Sequence, residues 1–548
     1  MNAAAGPGRE SPFWRVAPPL VLLLALVLRL DQLGARSLWT DEGSTWVGAS
    51  LGLKDLIHRC LTRDASPPLY YMLTSFAIHI ADDEAHLRIV SVIASVGLVW
   101  LTYRLARLGL SRATSTFAAL LCALSPYQVM SGQEARTYVL VAFFLVASIL
   151  LYARALVSPK MSRWPAFVLA MALGMWTQTI LLLGVAAQGT IAVLTPEGRR
   201  RFGPWAIALF AAALCYAPWA WMGRGLADQL SSSHWYIPEP DQKGVFKVLR
   251  AVLLSPMPLV SAPPASLLPG LDHWLPRKLG WALLVLAPAV PLLVSLPRIG
   301  RAGAEGMVAR IAWAGAVVPI AAVWVVSHKA PLFLPRYFVF VTPFLAVLYA
   351  QGVAALGPRA LRVLWGALLI GAAAAGIVRY ERDFTKEPWR QVATDIGRRA
   401  APGHTIVLVP FDLDPFAFYE HALHLGVRAV EVSHPDEPFA ARFTPKQLDE
   451  LEAAARKNAA GFNEAWVIVR SPNSAVRKEV AHRAELAAGE GRVLVERYRW
   501  DSFTGPLRVS RFVRDTTAYT HGAALVPLPT LHATDAGPVS VPLDQPFR

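Results

Sequence analysis

Cysteine is scarce in this chain, and charge is thin. The three cysteines are Cys122 and Cys215 in apolar runs and Cys60 alone in a polar stretch, which excludes a disulfide framework or a thiolate metal cluster. Charged residues make up 17% of the 548 positions, against 54% hydrophobic, too few to clothe a soluble protein of this length. Acidic residues are the rarer sign, 38 against 53 basic, for a net charge of +15. In a soluble chain that excess would point to nucleic acid. Here Lys and Arg gather in short connectors between apolar runs, as the positive-inside rule requires of a membrane protein, so no nucleic-acid partner is expected. GxGxxG and P-loop sequences are also missing, so no nucleotide site is expected.

What the chain has in quantity is apolar runs. The first, residues 16–30, follows Arg9 and Arg15. Arg29 and Asp31 close it and no small-x-small site precedes the polar stretch beyond. It reads as an uncleaved helix with a cytoplasmic amino terminus and Arg29 snorkelling outward. Residues 31–85 are too polar to span and form a first outer loop, whose 69–80 stretch is amphipathic and suited to lie on the bilayer. Spans are then expected near 87–103, 115–131, 137–155, 164–180, 181–195, 204–222, 279–297, 307–327, 337–356 and 362–379, about 11 in all. Gln178 and Gly184 point to a tight or re-entrant hairpin at 164–195. Counted from a cytoplasmic start, the inner connectors hold Arg104, Arg107 and Arg112; Arg154, Lys160 and Arg163; Arg199, Arg200 and Arg201; Arg298 and Arg301; and Arg359 and Arg362. The outer ones hold few basic residues, notably Arg136, Arg224, Lys329 and Arg336, and an odd count puts the end of the chain outside. A Pro-rich second outer loop at 223–275 carries His234, Trp235, Tyr236, Asp241, Asp272, His273 and Trp274, with one partly inserted helix expected near 245–254.

The composition changes after residue 380. Apolar runs shorten to strand length at 405–409, 465–469 and 492–496, alternating with helical patterns at 415–424, 445–459 and 475–488. The chain therefore divides into a polytopic α-helical membrane part, 1–380, and a soluble α/β domain of roughly three to five strands, 381–548, ending in a loosely ordered Pro-rich stretch from about 520.

Three polar clusters stand at the outer ends of apolar runs. Asp41 and Glu42 lie between Trp39 and Trp46. They are either solvated loop charges or a partly desolvated pair in which one raised pKa makes a base or a cation ligand. Gln133, Glu134, Arg136 and Tyr138 follow Ser125-Pro126-Tyr127. They form either an internal network, Glu134 with Arg136 or Tyr138, or a site in which Arg136 holds an anion. Lys329 and Arg336 flank a Pro-rich turn before Tyr337; snorkelling explains Lys329 better than Arg336. Basic groups and an acidic pair on one face suit a phosphate-bearing lipid.

Taken together these motifs resemble the GT-C membrane glycosyltransferases of bacteria related to the protein O-mannosyltransferases (family 39) and the lipid A aminoarabinose transferases. The matching features are Asp41-Glu42, Pro-Pro-Leu-Tyr-Tyr at 67–71, Ser-Pro-Tyr followed by Gln-Glu-Ala-Arg-Thr-Tyr at 125–138, and Pro-Arg-Tyr at 335–337. Relatives often carry His before Pro-Pro where this chain has Ser66, near Asp64. Glu387-Pro388-Trp389-Arg390 resembles the soluble ends of uncharacterised members.

The resemblance implies a multi-pass protein of a bacterial inner membrane with a periplasmic active site. It implies inverting transfer of a hexosyl or pentosyl group from a polyprenyl phosphate to a lipid, glycan or protein acceptor. Asp41 would act as base or acceptor-orienting carboxylate, with Glu42 supporting it or helping to bind a divalent cation, the one cofactor left open. Arg136, Lys329 and Arg336 would neutralise the donor phosphate, and Tyr70, Tyr71, Gln133, Glu134 and Tyr138 would meet acceptor or sugar. The rival class is a transporter or flippase of lipid-linked glycans, which would show internal repeats and ionisable residues at mid-bilayer. Neither is evident in the sequence.

Overall fold

A computed structural model describes residues 11–64, 66–157, 163–224, 241–253, 277–329, 333–433, 443–470, 475–502, 505–514 and 539–540. His234, Trp235, Tyr236, Asp272, His273 and Trp274, and the 520–548 end apart from 539–540, lie outside the described residues.

Seven helices among the described residues are long and apolar enough to cross a membrane: Phe13–Leu30, Glu84–Ala106, Tyr138–Val157, Phe202–Met222, Gly303–Val326, Pro335–Ala354 and Arg359–Arg382. Shorter apolar helices are Leu69–Ile78, Arg112–Leu124, Thr179–Leu194 and Val285–Gly300. The Leu69–Ile78 and Gln242–Leu253 helices stand where the surface segment and the partly inserted helix were expected.

Two breaks in expected spans matter for the site. The 115–131 run splits at Ser125, because Pro126 lacks an N–H and biases the residue before it toward extended backbone. Ser125 has φ −61° and ψ 117°, and a short helix, Pro126–Gly132, begins there. At 164–195 the chain breaks at extended Gln178, with φ −162° and ψ 130°, and the Gln178 side chain accepts from Ser66 and Thr137 at 3.2 and 3.3 Å.

Arg29 does not snorkel. It is fully buried, donating to the Ser95 hydroxyl and the Ala123 carbonyl, each at 2.8 Å. The break at Ser125 leaves the last carbonyls of the Arg112–Leu124 helix without intrahelical donors, and one of them takes the guanidinium inside the bundle.

The C-terminal part carries a six-stranded sheet. Its strands are β1 (Thr405–Val409), β2 (Arg428–Glu431), β3 (Glu464–Arg470), β4 (Val493–Trp500), β5 (Leu507–Val513) and β6 (Val539–Ser540), in the order β2-β1-β3-β5-β4-β6. β1 is parallel to both β2 and β3, and the other pairings are antiparallel. The count exceeds the three to five strands expected, since β5 (Leu-Arg-Val-Ser-Arg-Phe-Val) carries too many polar residues to stand out as an apolar run. β1 and β3 are apolar on both faces because both faces are covered. Ile406, Leu408, Ala465 and Val467 pack with the Pro445–Ala459 and Ala475–Gly489 helices. Val407, Val409, Trp466 and Ile468 pack with Trp389, Val392, Phe416 and Tyr419. That second cluster continues through Leu38, Ala49, Leu87 and Ala135, so one core joins the sheet to the first outer loop.

Candidate active site

The helix Thr40–Ser50 carries the acidic pair in its first turn, where carboxylates favour the helix dipole. Its start is held at the backbone. Gly43 faces the Asp414–Leu423 helix so closely that a Cβ there would stand 2.4 Å from the Pro415 nitrogen, an approach only glycine permits. Trp46 packs edge-on against Phe418, ring centroids 5.4 Å apart, and the Leu38 amide donates to the Tyr419 hydroxyl at 2.7 Å.

Asp41 and Glu42, adjacent in sequence, have opposite environments. Glu42 is completely buried. Arg88 grips it with two bonds, Nε to Oε1 at 2.7 Å and Nη2 to Oε2 at 2.9 Å. Lys386 Nζ donates to Oε2 at 2.9 Å, and the Ala135 amide to Oε1 at 3.0 Å. Burial alone would raise its pKa, but Arg88 and Lys386 reverse this and hold the carboxyl at about 2. Glu42 is therefore not a member of the pair raised in pKa. Burial, with Arg88 alongside, draws Lys386 down to about 8, which leaves it charged at neutral pH. Arg88 also donates to the carbonyls of Arg36 and Ser37 at 3.1 and 3.2 Å, so one guanidinium fixes both the pair and the loop before it.

Asp41 is partly open, its side chain 24% exposed, and faces two arginines. Arg336 Nη1 donates to its Oδ2 at 3.2 Å. Arg136 Nη1 donates to its backbone carbonyl at 3.0 Å, while Arg136 Nε stands 3.8 Å from Oδ2, buried and making no hydrogen bond. The Arg336 segment is anchored by the broken span, since the Tyr127 hydroxyl donates to the Pro335 carbonyl and Gln128 to Val339 at 3.0 Å. Tyr138 and Tyr337 meet edge-on at 5.7 Å, each beneath a guanidinium, Arg136 and Arg336 respectively.

Glu134 is buried beside them. Burial foremost, with the carboxylates of Glu42 and Asp41, raises it to about 7 against the pull of Lys386 and Arg336. Neither internal partner read from the sequence holds it, because Arg136 turns to Asp41 instead.

Other sequence candidates brace the site. The Tyr70 hydroxyl bonds to Ser91 at 2.7 Å, and the Tyr71 ring fills the space a Cβ on Gly48 would need. Gln133 donates to the Leu28 and Asp31 carbonyls and accepts from Tyr380. Asp64 pairs with Arg59 at 3.0 Å, and Arg59 with Asp414. Lys329 is exposed just past the Gly303–Val326 helix, its amide bonded to the Val326 carbonyl at 2.9 Å, and forms no ion pair with Asp41 among the described residues.

Arg88, Lys386 and Arg470 escaped the sequence reading. Arg88 alone left a signal, a guanidinium inside an apolar span. A cation shared by Asp41 and Glu42 does not fit: both Glu42 oxygens are taken by Arg88, Lys386 and Ala135, and Asp41 faces guanidinia. Beside the Arg336 segment, a partly open apolar cavity is lined by Ser125, Pro126, Thr342, Leu345, Tyr349 and Leu369, among others.

Residues 65–221 match the family model for dolichyl-phosphate-mannose-protein mannosyltransferase. No curated protein matches the chain. Among solved structures, ArnT from Cupriavidus metallidurans in the apo state is similar with a TM-score of 0.59 at 15% identity, over 91% of this chain and 98% of that one. The same protein bound to undecaprenyl phosphate gives 0.56 at 14%, with the same coverage. The oligosaccharyltransferase AglB from Archaeoglobus fulgidus, in complex with an inhibitory peptide and a dolichol-phosphate, gives 0.51 at 13%, over 92% of this chain and 74% of that one. At these identities the likeness is one of fold. The chain is thus a multi-pass membrane protein with the GT-C fold that ArnT shows, and its residues 65–221 are similar to the mannosyltransferase family model.

Proposed function

We propose that the protein is an inverting glycosyltransferase that moves a sugar from a polyprenyl phosphate to an acceptor hydroxyl at the outer, periplasmic face of a bacterial inner membrane. On this reading the sheet domain is also outside. The observation that carries the proposal is the open Asp41 carboxylate between Arg136 and Arg336, in a fold shared with an ArnT that binds undecaprenyl phosphate. The apolar cavity beside the Arg336 segment suits an isoprenoid chain.

Each group then has a task. The acceptor oxygen attacks the anomeric carbon as the bond from that carbon to the phosphate oxygen breaks, through an oxocarbenium-like state. Negative charge builds on the departing phosphate, where Arg136 and Arg336 stabilise it. Arg136 Nε, buried without a hydrogen bond, is the donor an anion would satisfy. The phosphate competes with Asp41 for both guanidinia, so donor binding frees the Asp41 carboxylate to take the acceptor proton. Glu42 keeps its neighbour in place and takes no proton. Glu134 and Tyr138 face sugar or acceptor, while Tyr70, Tyr71 and Gln133 shape the walls.

The test is comparative mass spectrometry of lipids and envelope glycans with and without the gene. A polyprenyl-phosphate sugar should accumulate on deletion and a glycan modification should vanish. Unchanged profiles of both would remove the proposal.

A further inference from the structure

Asp41 is held in place from the sheet domain. Glu387 is completely buried, and its Oε2 accepts from the Thr40 amide at 2.9 Å, the Thr40 hydroxyl at 2.8 Å and the Trp389 indole at 2.8 Å. The Thr40 amide belongs to the first turn of its helix, where backbone N–H groups have no intrahelical acceptor. An ionised carboxylate is the strongest partner available to it. Lys386 grips Glu42, so residues 386 and 387 take hold of positions 42 and 40, leaving Asp41 between them to face the arginines.

The other oxygen of Glu387 leads into the sheet. Arg470 Nε pairs with Oε1 at 3.1 Å, and Arg470 Nη1 with Asp412 Oδ2 at 3.0 Å, which Arg477 also holds at 2.7 Å. Arg470 is the last residue of β3, and Asp412 lies just beyond β1. Both therefore stand at the carboxyl ends of parallel strands, where open α/β sheets place functional groups. Phe411 and Asp412 have φ of 60° and 61°. Two consecutive non-glycine residues in the left-handed region cost free energy that surrounding structure must offset, a strain found at functional sites.

We infer that Glu387 is a positioning residue through which the sheet domain, by way of Arg470 and Asp412, sets the place of Asp41 between Arg136 and Arg336. The domain is then part of the catalytic machinery, although it supplies no group that reacts. The inference rests on the role proposed for Asp41, and the experiment separates the two.

The Glu387→Gln, Thr40→Val and Arg470→Lys variants of the full chain are compared in the wild-type and Asp41→Asn backgrounds, with polyprenyl-phosphate sugar as donor. Glu387→Gln keeps shape but loses charge. It should lower kcat about tenfold or more and leave the donor KM within about threefold, because the phosphate contacts are elsewhere. Thr40→Val removes one donor and leaves the Glu387–Arg470 pair; it should show a smaller loss of the same kind and serves if Glu387→Gln does not fold. In the Asp41→Asn background neither change should lower turnover further, since residues acting as a unit are not additive. Hydrogen exchange at the Thr40 amide should quicken in Glu387→Gln and in Arg470→Lys.

An equal fold-loss in both backgrounds, or wild-type kcat in Glu387→Gln and Thr40→Val, overturns the inference and leaves the role of Asp41 standing. Full turnover by Asp41→Asn itself overturns that role.

Discussion

Arg336 donates to Asp41 at 3.2 Å across 295 residues of chain, so the open carboxylate and the guanidinium neutralise each other. Arg136 approaches the same carboxylate at 3.8 Å. On the proposed function, a phosphate entering between them would exchange one anion for another around the guanidinia, tying donor binding to release of the base.

Arg336→Ala and Arg136→Ala should therefore weaken donor use, each by about 1.5–3 kcal/mol, the worth of a charge-assisted contact. Titration of detergent-solubilised variants with polyprenyl phosphate measures it. Normal donor kinetics in a stably folded Arg336→Ala protein would reduce that residue to an interfacial anchor.

Glu42→Gln should act on stability. It leaves Arg88 and Lys386 buried without their counter-charge, which costs about 3–5 kcal/mol when one partner of a buried pair is removed. The midpoint of thermal unfolding in detergent should fall well below wild type, and adding Lys386→Met should recover part of the loss. An unchanged midpoint would mean the ion pair is not the clamp described here.

The pH dependence of stability should show Glu134. Its pKa rises from 4.5 to about 7 on folding, so within that window the folded state binds a proton the unfolded state has lost. Stability then falls as pH rises through the window. Glu42 has the opposite sign: its pKa falls to about 2, so its contribution is present above 4.5 and lost as pH falls toward 2. Thermal midpoints of wild type and Glu134→Gln, compared from pH 5 to 8, isolate Glu134. Wild type should lose ground to the variant as pH rises; parallel curves would contradict the burial assigned to Glu134.

Topology gives a further check. From the basic connectors, a reporter fused after Arg201 should lie in the cytoplasm and one fused after Arg399 outside. The same compartment for both would overturn the orientation.

The sequence made some of this legible and hid the rest for definable reasons. β1, β3 and the helices between strands follow from apolar runs with clear periodicity, and Asp41 was visible as an acid beside a membrane. The division of labour within the pair was not. It depends on Arg88 and Lys386, 46 and 344 residues from Glu42, and such partners leave no local pattern. Arg29 misled for the same reason: snorkelling is what an isolated helix would do, and the Ala123 carbonyl that keeps it inside belongs to another helix. β5 was hidden by Arg508, Ser510 and Arg511, which pair across the sheet or with Glu485 and Glu464.

The central claim is that Asp41 takes the acceptor proton. Asp41→Asn keeps the size and most hydrogen bonding of the side chain but cannot accept that proton. Transfer from a purified polyprenyl-phosphate sugar, measured on the folded variant beside donor binding, should fall at least about 100-fold while the donor still binds. Turnover near wild type would contradict the account and remove Asp41 from the mechanism.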